Sequence, residues 1–512
     1  MHDPFLLDQM EPAVDRIRQA AAQKESIRIF GDTDVDGFTA TAILLKALRG
    51  LRVRPDYFIP DRFKEGYGLR RGYLDKARSD GVSLMVTVDT GIRAWDGAKY
   101  AREIGIDLII TDHHIVPEEL PQTDWIINPL KRDCPYPSKN LAGVAVALKL
   151  AEALLSQSDR DCLQPLYALA ALGTISDKMP LIGENRLLVL LGLSAMRTGV
   201  SVCWEMLCQQ MQIDQSRLTV DDLRTHIVPL LTSGRVSDGR QDAVELFLTE
   251  DKKEARRLIS RLKKDLHVFQ SQRRLAWQKA KNRYASIQKS DGSDHEIVVV
   301  HEEKIPSRFI GFCASKLSQM VKRPVLVIGD GQVCEARAPA DSFNLLNLLD
   351  ACQQFLSTYG GHRPAAGCTI KPGNVNEFIE NIRSFETKSA SRSTKKKIPP
   401  AKANCQLTAS DFRPELRSYL RQLEPFGMAN PPPIFLLHDF PFTSHQFPDL
   451  KIEKKKLVAG SYCFYLEADL LMRFIKASSQ GRQVDCTIRY RPQSGPGQKE
   501  NRTLNLISSI CD

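Results

Sequence analysis

A chain of 512 residues is longer than one hydrophobic core serves, and 42% hydrophobic with 26% charged residues is ordinary folded usage, so two to four domains are expected and wholesale disorder is excluded. Lys and Arg number 71 against 61 Asp and Glu, a formal charge of +10 that suits a polyanionic partner without specifying one. Twelve scattered cysteines without a Cys-x-x-Cys pair, no basic-then-apolar leader and no apolar run of about 18 residues argue against a disulfide scaffold, a zinc ribbon, secretion and a membrane span; the expectation is a reduced, cytoplasmic protein.

Residues 1–25 read as an amphipathic helix. Ile27, Ile29 and Phe30 then have the character of a buried strand, which stops at Gly31 in three acids spaced two apart, Asp32, Asp34 and Asp36, before Gly37 and an apolar helix from Thr39 to Leu48. The pattern recurs. Leu84 to Val88 ends at Asp89-Thr90-Gly91, and Leu108 to Ile110 leads into Thr111-Asp112-His113-His114. Strands alternating with helices such as Trp95 to Ile104 predict a parallel sheet covered on both faces, whose ligands collect at the carboxyl ends of the strands. A short strand at 125–128 follows, then a tightly packing small-residue helix around 141–147, then an apolar helix, 168–175, that stops at Ser176-Asp177.

From Asp242 to Gln288 there is no Gly or Pro and much Arg, Lys, Glu and Leu, which predicts a long connecting helix or helix pair. A second α/β unit is expected from strands at 296–300 and 324–328 around a helix at 312–320, and it contains Tyr359-Gly-Gly-His-Arg-Pro-Ala-Ala-Gly367. Residues 387–403 are rich in Lys, Ser and Pro and read as a linker. Beyond them a helix at 414–423 and short β-like runs at 463–466 and 486–490 predict a small barrel. Phe464, Tyr465, Arg473 and Lys476 are its candidates for holding bases and phosphates. The expected boundaries are 1–240 for the first domain, 241–290 for the connecting helix, 291–386 for the second α/β domain, 387–403 for the linker and 404–512 for the barrel.

Asp32, Asp34, Asp36, Asp89, Asp112, His113, His114 and Asp177 are therefore the candidate metal-site residues. Packed carboxylates raise one another's pKa in a low-dielectric cleft unless cations neutralise them. Oxygen and nitrogen donors suit Mn²⁺ or Mg²⁺, and two such ions about 4 Å apart activate water and clamp a scissile phosphate. Any single acid also serves as a helix cap.

These stretches, together with Asp61 to Leu69, Leu141 to Ala147, Ala171 to Asp177 and Pro180 to Arg186, resemble the DHH phosphoesterase family, and within it the single-strand-specific exonucleases. Arg337 and Gly360-Gly-His362 resemble that family's associated second domain, and Glu424-Pro-Phe-Gly427 with Asn430-Pro431 the entrance to its OB-fold. The resemblance implies that Asp34, Asp36, Asp89, His113 and Asp177 ligate two divalent cations, with Asp89 bridging. It gives Asp32 a supporting place, puts His114 near the scissile phosphate and makes Asp112 the orienter of a histidine. Arg235, Arg337, Gly360, Gly361 and His362 are implied contacts to nucleic acid, although a His after two glycines also suits a turn.

Three positions depart from the family pattern: Phe30 where many relatives have a metal-binding His, Pro306-Ser307-Arg308 where a His-x-Gly is usual, and 230–235, which keeps only the final Gly-Arg. The implied activity is metal-dependent 5′→3′ hydrolysis of single-stranded DNA by a monomer, in repair and recombination, with a helicase or single-strand-binding protein as partner. Two alternatives stay open at this point. One is a hydrolase of short oligonucleotides or cyclic dinucleotides, and the other a catalytically silent single-strand binder.

Overall fold

The computed structural model describes residues 1–389 apart from 52, 54, 62–67, 156–162, 292–294 and 340–342, then 404–407, 416, 419–420 and 422–440, and the later strands at 451–453, 456–459, 462–465, 484–491 and 502–508. The chain separates into two compact units, residues 1–266 with 400–512, and residues 267–399.

In the first unit, α1 (Met10–Gln23), β1 (Ser26–Gly31), α2 (Val35–Gly50), β2 (Asp56–Phe58), α3 (Arg71–Ser79), β3 (Val82–Val88), α4 (Trp95–Glu103), β4 (Asp107–Thr111) and β5 (Trp125–Ile127) alternate as the sequence predicts. The strands form one parallel sheet in the order β2-β1-β3-β4-β5. Alternation along the strands decides which layer each residue joins. Ile27, Ile29, Leu84, Val86, Val88 and Ile109 enter a core with α1 and α2, whereas Phe30, Met85, Leu108 and Ile110 face α3 and α4. Each fully buried side chain of this size contributes about 1.5–3 kcal/mol, and a slip of one residue would exchange the two sets, so the register is strongly specified.

The helices α5 (Gly143–Leu154), α6 (Leu163–Ser176), α7 (Gly183–Thr198) and α8 (Val202–Met211) thicken the first core. The 242–288 segment is a helix pair, α9 (Asp242–Leu248) and α10 (Lys252–Asp291), separated where Thr249 is extended. One boundary differs from expectation: α2 begins at Val35 rather than Thr39. Asp34 is its N-cap and accepts a hydrogen bond from the Gly37 amide at 3.1 Å, so the acid run itself forms the first turn, where negative charge suits the helix dipole.

The second unit contains β6 (Val298–His301), α11 (Ser307–Val321), β7 (Val325–Ile328), β8 (Val333–Arg337), α12 (Leu345–Ala351), β9 (Leu356–His362), β10 (Ala365–Ile370) and α13 (Val375–Ser389). Its sheet order is β9-β10-β8-β7-β6, with only β6 and β7 parallel. One face packs on α11 and the later part of α10, the other on α12 and α13. Because α13 runs to Ser389, the expected linker begins inside a helix; residues 390–403 lie outside the described residues.

The carboxyl-terminal part forms a seven-stranded sheet of β11 (Cys405–Leu407), β12 (Ile434–Phe440), β13 (Lys451–Glu453), β14 (Lys456–Ala459), β15 (Tyr462–Tyr465), β16 (Val484–Arg491) and β17 (Arg502–Ser508), in the order β11-β12-β16-β17-β15-β14-β13. Phe464 and Tyr465 lie on β15, while Arg473, Lys476 and half of the helix expected at 414–423 lie outside the described residues. The approach to this sheet is tied to α7: Arg186 donates to the carbonyls of Gln422, Leu423 and Glu424, and the Leu181 amide donates to the Met428 carbonyl at 2.7 Å. Among the described residues no single helix is long and apolar enough to cross a membrane.

Candidate metal centre

Strand register builds the site. Gly31, Val88, Thr111 and Ile127 are successive partners across β1, β3, β4 and β5, so the next residue of each strand stands in one row along the carboxyl edge: Asp32, Asp89, Asp112 and Asn128. The strand order reverses between β1 and β3, the place where open α/β sheets leave a crevice. Asp32, Asp34 and Asp36 flank that crevice from one side and Asp89 from the other. Two helices close it, α5 through its first turn and α6 through the residue after its end, Asp177.

Asp36 is 1% exposed, and both its oxygens accept amides from the start of α5, Gly143 at 2.8 Å and Val144 at 2.9 Å. A helix N-terminus is a ready anion site, and here it fixes a side chain that carries negative charge toward the crevice. Asp89 is 2% exposed and lies at φ +60, a left-handed backbone that only Asn, Asp and His adopt with any ease besides glycine. Its Oδ1 is 3.1 Å from His113 Nε2 yet makes no hydrogen bond, leaving a buried carboxylate oxygen without a donor. His113 Nε2 also lies 3.7 Å from Asp177 Oδ2 and 3.9 Å from Asp36 Oδ2.

Donor atoms gather in three overlapping groups, each within 4.8 Å: Asp32, Asp34 and Asp89; Asp36, His113 and Asp177; and Asp89, His113 and His114. Asp89 joins the first group to the third, and His113 the second to the third. Among the described residues none of Asp34, Asp36, Asp89 and Asp177 pairs with Lys or Arg. Burial and mutual repulsion raise Asp36 and Asp89 well above the usual carboxylate range, and burial followed by the charge of Asp34 raises Asp177 to about 6. The residues thus fit divalent cations on their own geometry: an undonated buried oxygen, all-oxygen and nitrogen donors, and crowded carboxylates without a Lys or Arg ion pair among the described residues. Two glycines leave the room. A Cβ on Gly143 would lie 2.4 Å from Asp89 Oδ1, and one on Gly173 would lie 2.7 Å from Asp36 Oδ1.

The two histidines are driven apart. Burial, then the neighbouring His114 charge, lowers His113 to about 4, which keeps its imidazole neutral and able to ligate. A hydrogen bond from His114 Nδ1 to Asp112 Oδ1 at 2.8 Å raises His114 to about 9 despite partial burial, so this exposed ring is a cation at neutral pH. Asp112 stands apart from the donor groups. Burial would raise it, but the His114 ring and the amides of Ile92 and His114 hold it below its ordinary range; with the His113 amide, its oxygens accept four hydrogen bonds.

Asn128 is a residue that composition and spacing did not single out. It is 1% exposed, donates to the His114 carbonyl at 3.0 Å and accepts from the Leu130 amide at 2.8 Å, bracing the His-His turn. Its signal was positional, the residue that follows β5. Phe30 does not enter the donor groups; it stacks on Phe58 with centroids 6.1 Å apart and leans on Tyr73 in the outer core.

The remaining candidates lie elsewhere. Arg235 is exposed in the first unit and pairs with Asp265 at 3.1 Å. In the second unit, Arg337 ends β8 and bonds Glu335 at 2.8 Å. Gly360, Gly361 and His362 are the last residues of β9, an edge strand exposed from Ser357 onward, so the Gly-Gly-His run is strand and the turn falls at Arg363-Pro364.

Three family models match in chain order: the DHH family N-terminal domain over residues 26–174, the DHHA1 domain over 294–388 and the RecJ OB domain over 403–456. The chain is 36% identical over 443 residues to the single-stranded-DNA-specific exonuclease RecJ of Bacillus subtilis, covering 86% of this chain and 55% of that protein. It is 31% identical over 459 residues to RecJ of Dickeya dadantii, covering 85% and 78%. The chain belongs to the RecJ family. It spans little more than half of the Bacillus protein and over three quarters of the Dickeya protein. The RecJ fold covers it almost throughout: a Thermus thermophilus RecJ solved in complex with Mn²⁺ superposes with a TM-score of 0.75 at 23% identity, over 98% of this chain and 71% of that one.

Proposed function

We propose that this protein is a metal-dependent exonuclease that hydrolyses single-stranded DNA from the 5′ end. The observation that carries the reaction type is the undonated, buried Asp89 oxygen in the centre of overlapping carboxylate and imidazole groups, within a chain whose relatives are single-stranded-DNA-specific exonucleases. Asp34, Asp36, Asp89, His113 and Asp177 would hold two divalent cations, Mn²⁺ or Mg²⁺, with Asp32 beside them. Such ions supply an activated water and neutralise charge on the scissile phosphate.

The chain's own residues do the positioning. The α5 amides fix Asp36, neutral His113 presents Nε2 to the carboxylates, and Asp112 holds the His114 imidazolium by Nδ1 so that its other N–H is available to a phosphate oxygen. Arg235, Arg337, Gly360, Gly361 and His362 are the residues assigned to the strand itself. On β9 two successive glycines leave the backbone open to close approach by a ligand. An enzyme restricted to single strands depends on a helicase to expose them and meets single-strand-binding protein on them, and we assign it to the cytoplasm as a monomer.

The test is incubation of the purified chain with Mn²⁺ and strands labelled at one end or the other. Early release of the 5′ label as mononucleotide is expected, with the 3′ label retained on shortening fragments. Release of the 3′ label first would reverse the polarity, and hydrolysis confined to dinucleotides would replace the reading with a small-substrate hydrolase.

A further inference from the structure

Two helices of the second unit carry a pattern that the metal centre does not use. From His267 to Ser290 α10 has no Asp or Glu, and α11 has none along its whole length. Three cations on this pair lie over aromatic rings. Arg308 is 5.9 Å from the centroid of Phe269 and 4.8 Å from Phe309; Arg273 is 5.9 Å from Phe269 and 5.0 Å from Phe312; Lys316 is 5.7 Å from Phe312 and 5.3 Å from Trp277. The result is a ladder, Arg308, Phe269, Arg273, Phe312, Lys316, Trp277, in which each inner ring is shared by two cations.

Helical spacing builds it. Phe269, Arg273 and Trp277 recur every four residues on α10, as Arg308, Phe312 and Lys316 do on α11, so each helix offers one stripe and the stripes interleave. The bland reading is helix packing, since a stacked cation contributes about 0.5–1 kcal/mol at an exposed site. Two observations go further. Among the described residues none of the three cations has a carboxylate partner, whereas cations on the earlier part of the same α10 are paired: Lys252 with Glu205, Arg257 with Glu254 and Arg261 with Asp242. The ladder also abuts the Arg337–Glu335 ion pair, because a Cβ on Gly311 of α11 would lie 3.1 Å from that guanidinium and 3.6 Å from that carboxylate.

We propose that the ladder is a binding track for single-stranded nucleic acid, holding phosphates on Arg273, Arg308 and Lys316 and stacking bases on the guanidinium planes. Arg308 donates to the Gln272 side chain, but cations without a carboxylate partner match a polyanion, and flat faces held by rings match unpaired bases, which a duplex does not offer. An acidic peptide would use the charges but not the planes. The inference rests on the reading that this chain handles single strands.

The experiment uses the full chain in EDTA with a labelled deoxythymidine strand of about 30 nucleotides, titrated at several salt concentrations. The variant R273A/R308A/K316A should weaken binding by at least about tenfold and make the log-log salt slope shallower by about 2, three contacts at roughly 0.7 each. The control R256A/R257A/R261A removes the same charge from the early part of α10 and should move neither quantity by a third as much. R273K/R308K, which keeps charge and fold, should keep the slope yet bind about threefold more weakly, because lysine offers no plane for a base. If the wild type fails to bind single strands, the functional reading falls. If it binds and hydrolyses them while the alanine variant binds as tightly, or the control loses as much, or a blunt duplex or an acidic peptide takes the same track equally well, only the ladder proposal is overturned.

Discussion

The carboxyl edge of the first sheet and the β9 edge of the second handle charge in opposite ways. At the first, Asp36 and Asp89 are 1% and 2% exposed, crowd against Asp34 and Asp177, and are held by helix amides and a left-handed backbone. At the second, six consecutive residues from Ser357 to His362 are exposed on an unpaired strand edge, ending at two glycines and a histidine. Where, on the proposed function, a bond would be broken, the protein crowds carboxylates together and fixes Asp34 and Asp36 by backbone amides. Where, on the same reading, a strand would be held, it leaves backbone open to water, which would let a sequence-indifferent ligand slide.

Asp89→Asn tests the first half of that contrast most severely. It should lower turnover with Mn²⁺ by at least about 10³-fold, since the shared ligand is lost, while asparagine still accepts the φ of +60. The same variant should melt higher than wild type in EDTA, because a neutral amide relieves the repulsion that the missing cations leave behind. Nuclease assay and thermal unfolding in EDTA check the two halves. Wild-type turnover would break the idea that Asp89 links the donor groups.

Gly143→Ala comes next. Its Cβ would lie 2.4 Å from Asp89 Oδ1 and 2.5 Å from Asp89 Cβ, so either the carboxylate or the start of α5 must move, and the amides that hold Asp36 move with it. A misplacement of that size costs about 10²-fold in rate. Single-turnover hydrolysis at saturating metal measures it, and an undiminished rate would mean that α5 is not the clamp.

Much of this site was legible before any coordinates. Three apolar runs that each end in an acid specify a parallel sheet with its acids on one edge, and the matching register of Gly31, Val88 and Thr111 follows from burial on both faces. What composition could not convey was the division of labour within that edge. Asp112 and Asp36 are the same residue type beside the same crevice, yet one is consumed by four hydrogen bonds, three from its own loop and one from the Ile92 amide, while the other faces His113. The donors that decide this, the amides of Ile92, Gly143 and Val144, are present at every residue of any sequence. Asn128 was missed for a related reason, since it follows only three strand residues and its role depends on touching His114 fourteen residues away. The start of α2 was misplaced because Asp and Gly favour both turns and first helical turns.

On the β9 edge, Gly361→Ala should have a smaller effect. Gly361 has φ +134, and a Cβ there would lie 2.5 Å from the Ala366 Cα across the ladder, so alanine would push β9 away from β10. Strain of about 1–3 kcal/mol at an exposed edge predicts roughly tenfold weaker retention of long strands, with KM raised more than kcat is lowered. Steady-state kinetics on long strands separate the two parameters, and a pure kcat defect would place Gly361 in the chemistry instead.

The smallest expected effect sharpens the contrast between the two adjacent histidines. His114 is raised from 6.5 to about 9, chiefly by its hydrogen bond to Asp112, with burial opposing and the Asp112 charge assisting. A base whose folded pKa lies above its unfolded value contributes stability that is fully present below the unfolded pKa and is lost as pH rises through the folded one, here between pH 6.5 and about 9. The depressed Asp112 is the same interaction seen from its other partner, so the two shifts count once. Because the His114 ring is more than half exposed, solvent screens the pair, and the expected change in melting temperature is only about 2 °C. In EDTA, wild type should therefore melt above His114→Gln at pH 6.5, and the gap should close by pH 9. Taking the difference between the two proteins removes the mutual repulsion of the crowded carboxylates, whose raised values also make the metal-free fold weaken with rising pH, and leaves the attraction of His114 to Asp112, Asp32 and Asp177. A gap that stays constant across that window would mean that Asp112 holds the turn through the backbone amides alone and that the ring adds nothing to the fold.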